Sequence, residues 1–398
     1  MRKETPLKYT EEGEKTMERS ILLFKNSVKS EHSYKTYVDK LNRFMEFAGV
    51  SSYDELTREK NLQELLEDWI MTIKQQISPN SVPYYFYAIK SFLEVNDVEL
   101  RWKKIIRLFP AKEKKTGRKP YTTKEVQKIL AVAKDLRSRA LVLFLASSGV
   151  RIGAIPDLRV SHLVDLPLSC KGVLVYEGST EEYWTIITPE ASEALNQYLE
   201  KRKSDGENIT PNSPLFRESY SAKRGNASRV ARPIGLRALI CLMIRLVDKS
   251  GIRCNEEKKN NRYPTMVNHA FRKRFVTILK NTPEIKNSTA EKLAGHKVYR
   301  DEENFTVELD YSYNVPTLEN LFNQYKYAIP ELSIDDMARV QMKEQQIQKQ
   351  YSALEEEKRR HFEDKKKLYK TIMERAKSEG KVPDWLRSLF DELILTFE

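Results

Sequence analysis

Cysteine is scarce in this chain. Its 398 residues hold three, Cys170, Cys241 and Cys254, an odd number set too far apart for zinc-ligand spacing, so neither a disulfide framework nor a metal clip is expected. The thiols are expected to be reduced and buried. Long apolar runs are also missing: the longest, around Leu141 to Ala146, falls far short of the roughly 20 residues that cross a bilayer. The N-terminus lacks the apolar core of a signal peptide, so a cytoplasmic location with no membrane partner is expected. No internal repeat is present. Nor is there an acidic excess, since 69 Lys and Arg face 57 Asp and Glu for a formal charge of +12, a balance that favours a polyanionic partner.

What is present divides the chain. Its length exceeds what one compact core usually holds, which makes two or three domains the expectation. Residues 16–109 read as amphipathic helices, with Tyr34, Tyr37, Leu41, Phe44 and Met45 on one stripe and Leu62, Leu65, Leu66, Trp69 and Ile70 on another. Residues 110–120 carry Pro at both ends, an internal Gly and several Lys without apolar periodicity, the composition of a basic linker. A second, mainly helical domain is expected over residues 121–332. Thr122 or Thr123 can cap its first helix with Glu125 answering from the first turn. Within it, Gly172–Tyr176 and Tyr183–Ile187 are β-branched and aromatic runs around a short turn, which predicts a β-hairpin. Helices are expected at Pro189 to Lys201, Arg229 to Lys249, Asn268 to Lys280 and Thr317 to Ala328. Beyond Ser333, residues 333–398 turn to Lys, Glu and Gln, with Val340, Ile347, Leu354 and Leu368 on a seven-residue repeat. That pattern predicts a long helix, solvated or in a coiled coil. A last apolar cluster, Trp385, Leu386, Leu389, Phe390 and Leu393, is a candidate docking element.

Four short segments carry the chemistry. In Ser147-Ser-Gly-Val-Arg151, Gly149 suits the left-handed end of a helix, so Arg151 projects from a bend as a planar fork that fits a phosphate. In Asn268-His-Ala-Phe-Arg272, Asn268 is a candidate N-cap, and His269 and Arg272 share a helix face apart from the buried stripe of Phe271, Phe275, Ile278 and Leu279. Leu293-Ala-Gly-His296 places a second histidine behind another glycine helix end. Tyr311-Ser-Tyr313-Asn-Val-Pro-Thr317 then offers a nucleophile ahead of another helix. Taken singly, each is an ordinary surface or packing feature. Their order matches what phosphoryl transfer needs: guanidiniums for the nonbridging oxygens, imidazoles for protons and a phenol to attack.

Over roughly residues 20 to 332 the sequence resembles the tyrosine recombinase, or phage integrase, family. The carrying motifs are Ser148-Gly-Val-Arg-Ile, His269-Ala-Phe-Arg-Lys-Arg-Phe and Leu293-Ala-Gly-His. It is similar to the archaeal branch in Arg151 to Pro156, Glu181 to Glu190 and Ser312 to Thr317. The resemblance implies a helical, SAM-like core-binding domain and a tyrosine recombinase catalytic domain that clamp duplex DNA at attachment sites. It also implies a homotetramer in the synaptic complex, and catalytic roles for Arg151, His269, Arg272, His296 and Tyr313. The tyrosine would form a 3′-phosphotyrosine and free a 5′-hydroxyl, with no ATP, metal or other cofactor. Tyr313 is favoured over Tyr299 and Tyr311 by its Ser-Tyr-x-x-Pro-Thr setting; the usual position for the nucleophile is occupied by Phe305. Two features depart from the family: Ala154 stands where many members carry Glu, and the hairpin turn from Glu177 to Thr180 lacks the usual lysine, leaving Lys171 as a substitute. A type IB topoisomerase uses similar residues, and a DNA-binding relative without catalysis is the other alternative. The short tyrosine-to-helix segment and the helical tail favour the recombinase over the topoisomerase, and the retained arginines, histidines and tyrosine favour it over the relative without catalysis.

Overall fold

Ser30 and Gly49 punctuate the N-terminal sequence, and an 18-residue helix runs between them. In the computed structural model, which describes residues 18–113, 119–221, 231–254, 256–258, 263–296, 317–378 and 388 with the pairs Lys8–Tyr9 and Lys15–Thr16, the chain divides into two units, Met1–Lys115 and Thr116–Glu398. In the first unit, Lys8–Tyr9 (β1) and Lys15–Thr16 (β2) pair antiparallel. Helices α1 (Arg19–Ser27), α2 (Glu31–Ala48), α3 (Tyr53–Leu56), α4 (Leu62–Gln76), α5 (Val82–Val95) and α6 (Trp102–Ile106) follow. The Ser30 side chain accepts from the Ser33 amide at 3.4 Å, and Gly49, at φ 69°, closes α2. The apolar stripes sort by depth. Leu41, Phe44, Leu66 and Ile70 are buried, while Tyr34, Tyr37 and Leu65 are half-buried at the edge of the same core. Phe24 meets Phe92 edge-on at 5.5 Å within it.

The second unit is built around one helix. α8 (Leu136–Ser148) is buried continuously from Ala140 to Ser148, the mark of a helix with neighbours on every side. α7 (Thr123–Val132), α9 (Pro189–Ser204) and α10 (Leu236–Lys249) share its core with Phe271 of α11 (His269–Asn281). Thr122 and Glu125 form the capping box that starts α7. A second cluster joins α11 to α12 (Asn287–Leu293), α13 (Leu318–Tyr325) and α14 (Ile329–Leu332) through Phe275, Leu279, Leu293, Phe322 and Tyr325. The expected hairpin is present as β4 (Lys171–Val175) and β5 (Tyr183–Ile187), with Val175 opposite Tyr183 and Lys171 opposite Ile187. A third strand, β3 (Leu163–Asp165), pairs antiparallel with β4. It was not expected because three residues are too few to show a period. The architecture is therefore mainly helical with a small three-stranded sheet.

Several expectations need correction. Asn268 does not cap α11: its backbone is already helical (φ −90°, ψ −37°), its side chain makes no capping bond, and Oδ1 is buried without a partner among the described residues. Of the three thiols, all free, Cys170 is buried but Cys241 and Cys254 are exposed. Cys241 lies off the face of α10 that buries Leu239, Met243 and Leu246. The segment 222–230 lies outside the described residues, and α10 starts at Leu236 rather than Arg229.

Packing also reaches past residue 332. Ser333 and Ile334 are buried, the Ile334 amide donates to Glu190 Oε2 at 2.8 Å, and Ile334 O accepts from Gln127 Nε2 at 2.9 Å. Only then does the long helix α15 (Asp336–Ser378) depart. Its heptad residues Val340, Ile347, Leu354 and Leu368 are all exposed. The cluster from Trp385 to Leu393 lies outside the described residues, as do residues 114–118 of the linker. Among the described residues, no helix is long and apolar enough to cross a membrane.

Candidate active site

A helix leaves its last carbonyls unpaired, and α8 ends in the interior. Gly149, at φ 60°, closes it by donating its amide to Leu145 O at 3.2 Å. The following carbonyls are met from three distant segments. Ser147 O accepts from Tyr325 Oη at 3.0 Å, Ser148 O from Thr185 Oγ1 at 2.9 Å, and Gly149 O from Arg272 Nη1 at 2.9 Å. A Cβ on Gly149 would stand 2.4 Å from the Phe275 ring, so the turn requires glycine for space as well as for φ. The negative end of α8 thus holds one guanidinium, and Arg151 follows two residues later with an exposed side chain. Ala154 is buried in the short turn Ile152–Asp157, and the carboxylate of the family pattern is absent there.

Arg272 is 5% exposed, and among the described residues its Nη2 has no hydrogen bond of regular geometry. Burial lowers its pKa, with the Tyr183 phenol opposing the fall and Arg151 adding to it. His269, one turn earlier on α11, is reached by solvent. Even so, the protein around its imidazole lowers its pKa below the ordinary value, helped by Lys273, Arg272, His296 and Arg151. The neutral ring can therefore accept a proton at neutral pH.

His296 is positioned by a different helix end. Gly295, at φ 60°, donates to Lys292 O at 2.9 Å and the His296 amide donates to Glu291 O at 3.0 Å, the paired bonds of a Schellman turn. The Glu291 carboxylate also engages His296 Nδ1 and Lys280. Burial would raise the Glu291 pKa, but the bonds to Lys280 and His296 outweigh it and hold the carboxyl below its ordinary value. The carboxylate fixes one ring nitrogen of His296 and leaves Nε2 to face a ligand. Glu291 was not anticipated: it lies five residues before His296, a spacing with no helical periodicity, and only the reversal at Gly295 brings the two together.

The hairpin adds two tyrosines. A Cβ on Gly295 would lie 2.4 Å from Cε1 of Tyr183, so that ring packs flat on the turn presenting His296. Tyr176 has a positive φ of 59°, an uncommon strain for an aromatic residue, and its ring centroid is 6.3 Å from that of Tyr183. Burial raises both phenols, while Arg151 and Arg272 draw both down. Tyr183 was legible only as part of the Glu181 to Glu190 pattern, without a role. The turn itself is tied down by His162: Nδ1 accepts the Arg159 amide at 3.2 Å, so Nε2 carries the proton toward Glu177 Oε2 at 3.1 Å.

Arg151, His269, Arg272 and His296 thus share one electrostatic neighbourhood with Tyr176 and Tyr183. Lys171 does not join it. Four residue steps, about 13 Å of strand, separate the Lys171–Ile187 pair from the Val175–Tyr183 pair, and the Lys171 ammonium is engaged by Asp165. Tyr299, Phe305, Tyr311 and Tyr313 lie outside the described residues. Among those that are described, no three His, Cys, Asp or Glu side chains cluster as a metal site.

No family model and no curated protein matches the chain. Solved structures do. The chain is similar to XerA recombinase at 22% identity, over 77% of this chain and 97% of that one, with a TM-score of 0.34. It is also similar to the integrase of mycobacterium phage Brujita, at 17% identity over 77% and 95% with a TM-score of 0.34. The Tn1549 transposon integrase, in complex with transposon right end DNA, is 17% identical over 77% and 98% with a TM-score of 0.49.

Proposed function

We propose that the chain is a site-specific DNA recombinase of the tyrosine type, cutting and rejoining duplex DNA to integrate or excise a mobile element. The observation that carries this reading is the buried Arg272, with no regular hydrogen bond at Nη2 among the described residues, within electrostatic reach of Arg151 and of His269, which also feels His296. A buried donor left unpaired costs about 1–3 kcal/mol, a cost that an arriving phosphate oxygen removes. The formal charge of +12 suits that polyanion. The archaeal assignment rests on the three sequence segments that resemble that branch.

In the proposed reaction, the Tyr313 phenol loses its proton to the neutral His269 imidazole and attacks the phosphorus. The bond to the 5′-oxygen breaks, its electron pair stays on that oxygen, which takes up a proton and departs as the 5′-hydroxyl, and a 3′-phosphotyrosine remains. Arg151 and Arg272 bind the nonbridging oxygens, and Glu291, held at Nδ1, orients His296 so that Nε2 faces the phosphate. Rejoining reverses these steps with the 5′-hydroxyl of a partner duplex.

The test uses nicked duplexes made from the DNA flanking the gene. Wild type is expected to form a protein–DNA link that survives denaturation. Tyr313→Phe is expected to lose the link and keep binding, whereas Tyr311→Phe keeps both. A nucleotide remnant mapped to Tyr311 would move the assignment. Assembly is tested by a chain ending after Lys343, which retains Ile334 and Met342 in their cores. It is expected to form the link but not the tetrameric junction complex; unchanged junction formation would remove the helical tail from assembly.

A further inference from the structure

Tyr183 has no task in the steps above. Its residue is 8% exposed, its ring lies against Gly295, and its phenol is coupled to both Arg272 and Arg151. Oη stands close enough to Arg272 to receive an N–H from it, in a contact short of regular hydrogen-bond geometry, and among the described residues its own hydrogen has no acceptor. For packing alone phenylalanine would serve better, because a buried hydroxyl without a partner costs about 1–3 kcal/mol. What could satisfy it is decided by its neighbours. Guanidiniums are donors only, so Arg272 and Arg151 can offer Oη an N–H but cannot take its hydrogen. That hydrogen is available to an acceptor, and two flanking cations select an anionic one.

We propose that Tyr183 donates its phenolic proton to the 5′-oxygen as it leaves the scissile phosphate. This rests on the recombinase reading. As the bond from the nucleophile to phosphorus forms and the P–O5′ bond breaks, the electron pair goes to O5′, which takes the proton from Oη. Arg272 and Arg151 then stabilise the resulting phenolate. On rejoining, the attacking 5′-hydroxyl returns its proton to that phenolate. Burial keeps Tyr183 protonated beforehand, and the guanidiniums favour the ionised form once the proton has moved. The hairpin offers no competing cation near this end, since the turn from Glu177 to Glu182 contains neither lysine nor arginine and Lys171 lies at the far end.

The experiment compares wild type and Tyr183→Phe, as full chains, on two duplexes of one sequence centred on the cleavage position that wild type marks in the flanking DNA. One duplex carries the ordinary phosphodiester. The other carries a 5′-bridging phosphorothiolate, whose thiolate leaves without a proton. Tyr183→Phe is expected to cleave the first roughly 10²–10⁴-fold more slowly than wild type and the second within a few-fold of it. Equal slowing on both would overturn the proposal and make Tyr183 a phosphate ligand, and no slowing on either would overturn it outright. Should Tyr183→Phe fail to fold, 3-fluorotyrosine at this position keeps the ring and a more acidic hydroxyl. Its rate is expected to rise on oxygen and stay unchanged on sulfur; the same change on both opposes the proposal. A wild-type protein that links to neither duplex would sink the recombinase reading itself, and this proposal with it.

Discussion

Arg202 and Arg272 are both interior guanidiniums of the same unit, and the protein treats them oppositely. Arg202 is fully enclosed: Nε donates to Glu207 Oε2 at 3.0 Å, Nη2 reaches the other carboxylate oxygen, and Nη1 donates to Pro214 O and Leu215 O at 2.9 and 3.0 Å. Arg217 shares the same carboxylate. Arg272 has one carbonyl and the Tyr183 phenol, and among the described residues no carboxylate and no regular hydrogen bond at Nη2. A buried cation with its counter-ion built in is architecture; one that lacks it is poised for an anion from outside.

Removing the counter-ion should make Arg202 resemble Arg272, at the largest cost. Glu207→Ala removes the carboxylate that two buried guanidiniums share and is expected to destabilise the protein by about 3–5 kcal/mol, read from urea denaturation. A loss below about 1 kcal/mol would mean that water already reaches the pair. Burial alone would raise the Glu207 pKa, but the bonds from Arg202 and Arg217 outweigh it and hold the carboxyl below its ordinary value. With a depressed folded-state pKa, this contribution is present above the unfolded value and disappears as pH falls through the folded one. The difference between wild type and Glu207→Ala should therefore shrink in acid.

Arg272→Lys tests the other side. Lysine can keep the bond to Gly149 O but loses the second prong of the fork. Cleavage is expected to fall roughly 10²–10³-fold while the urea midpoint moves little. A variant that unfolds early and cleaves normally per folded molecule would place Arg272 with Arg202 as architecture.

Gly295→Ala sharpens the contrast locally. Its Cβ would meet the Tyr183 ring at 2.4 Å in a left-handed backbone, so a stability loss of about 1–3 kcal/mol is expected. Cleavage should fall further than that loss explains, because Tyr183 and His296 both shift. Wild-type rates with a wild-type melting curve would show that the ring has room to move.

The smallest effect is a titration. His269 should titrate by NMR below the ordinary imidazole value in the free protein, since surrounding protein and the neighbouring cations Lys273, Arg272 and Arg151 disfavour its charge. Bound DNA phosphate should move the midpoint up. A midpoint at or above the ordinary value without DNA would mean that those cations are screened from the ring.

Much of this was local and therefore readable from the sequence. The capping box at Thr122, the left-handed glycines 149 and 295, the hairpin, and the stripe of Phe271, Phe275 and Leu279 all follow from near-neighbour sterics and side-chain periodicity. The candidate residues Arg151, His269, Arg272 and His296 were found in the same way, as short motifs in a fixed order. Which of the buried arginines has a counter-ion was not local. Glu207 closes Arg202 from five residues away, whereas Gly149 closes half of Arg272 across 123 residues. The satisfaction of Ser147 and Ser148 by Tyr325 and Thr185, the reversal that brings Glu291 to His296, and the seating of Tyr183 on Gly295 were likewise decided by tertiary packing. A hydrogen bond depends on positions to within a few tenths of an ångström, and between segments far apart in the chain those positions exist only once the core has closed.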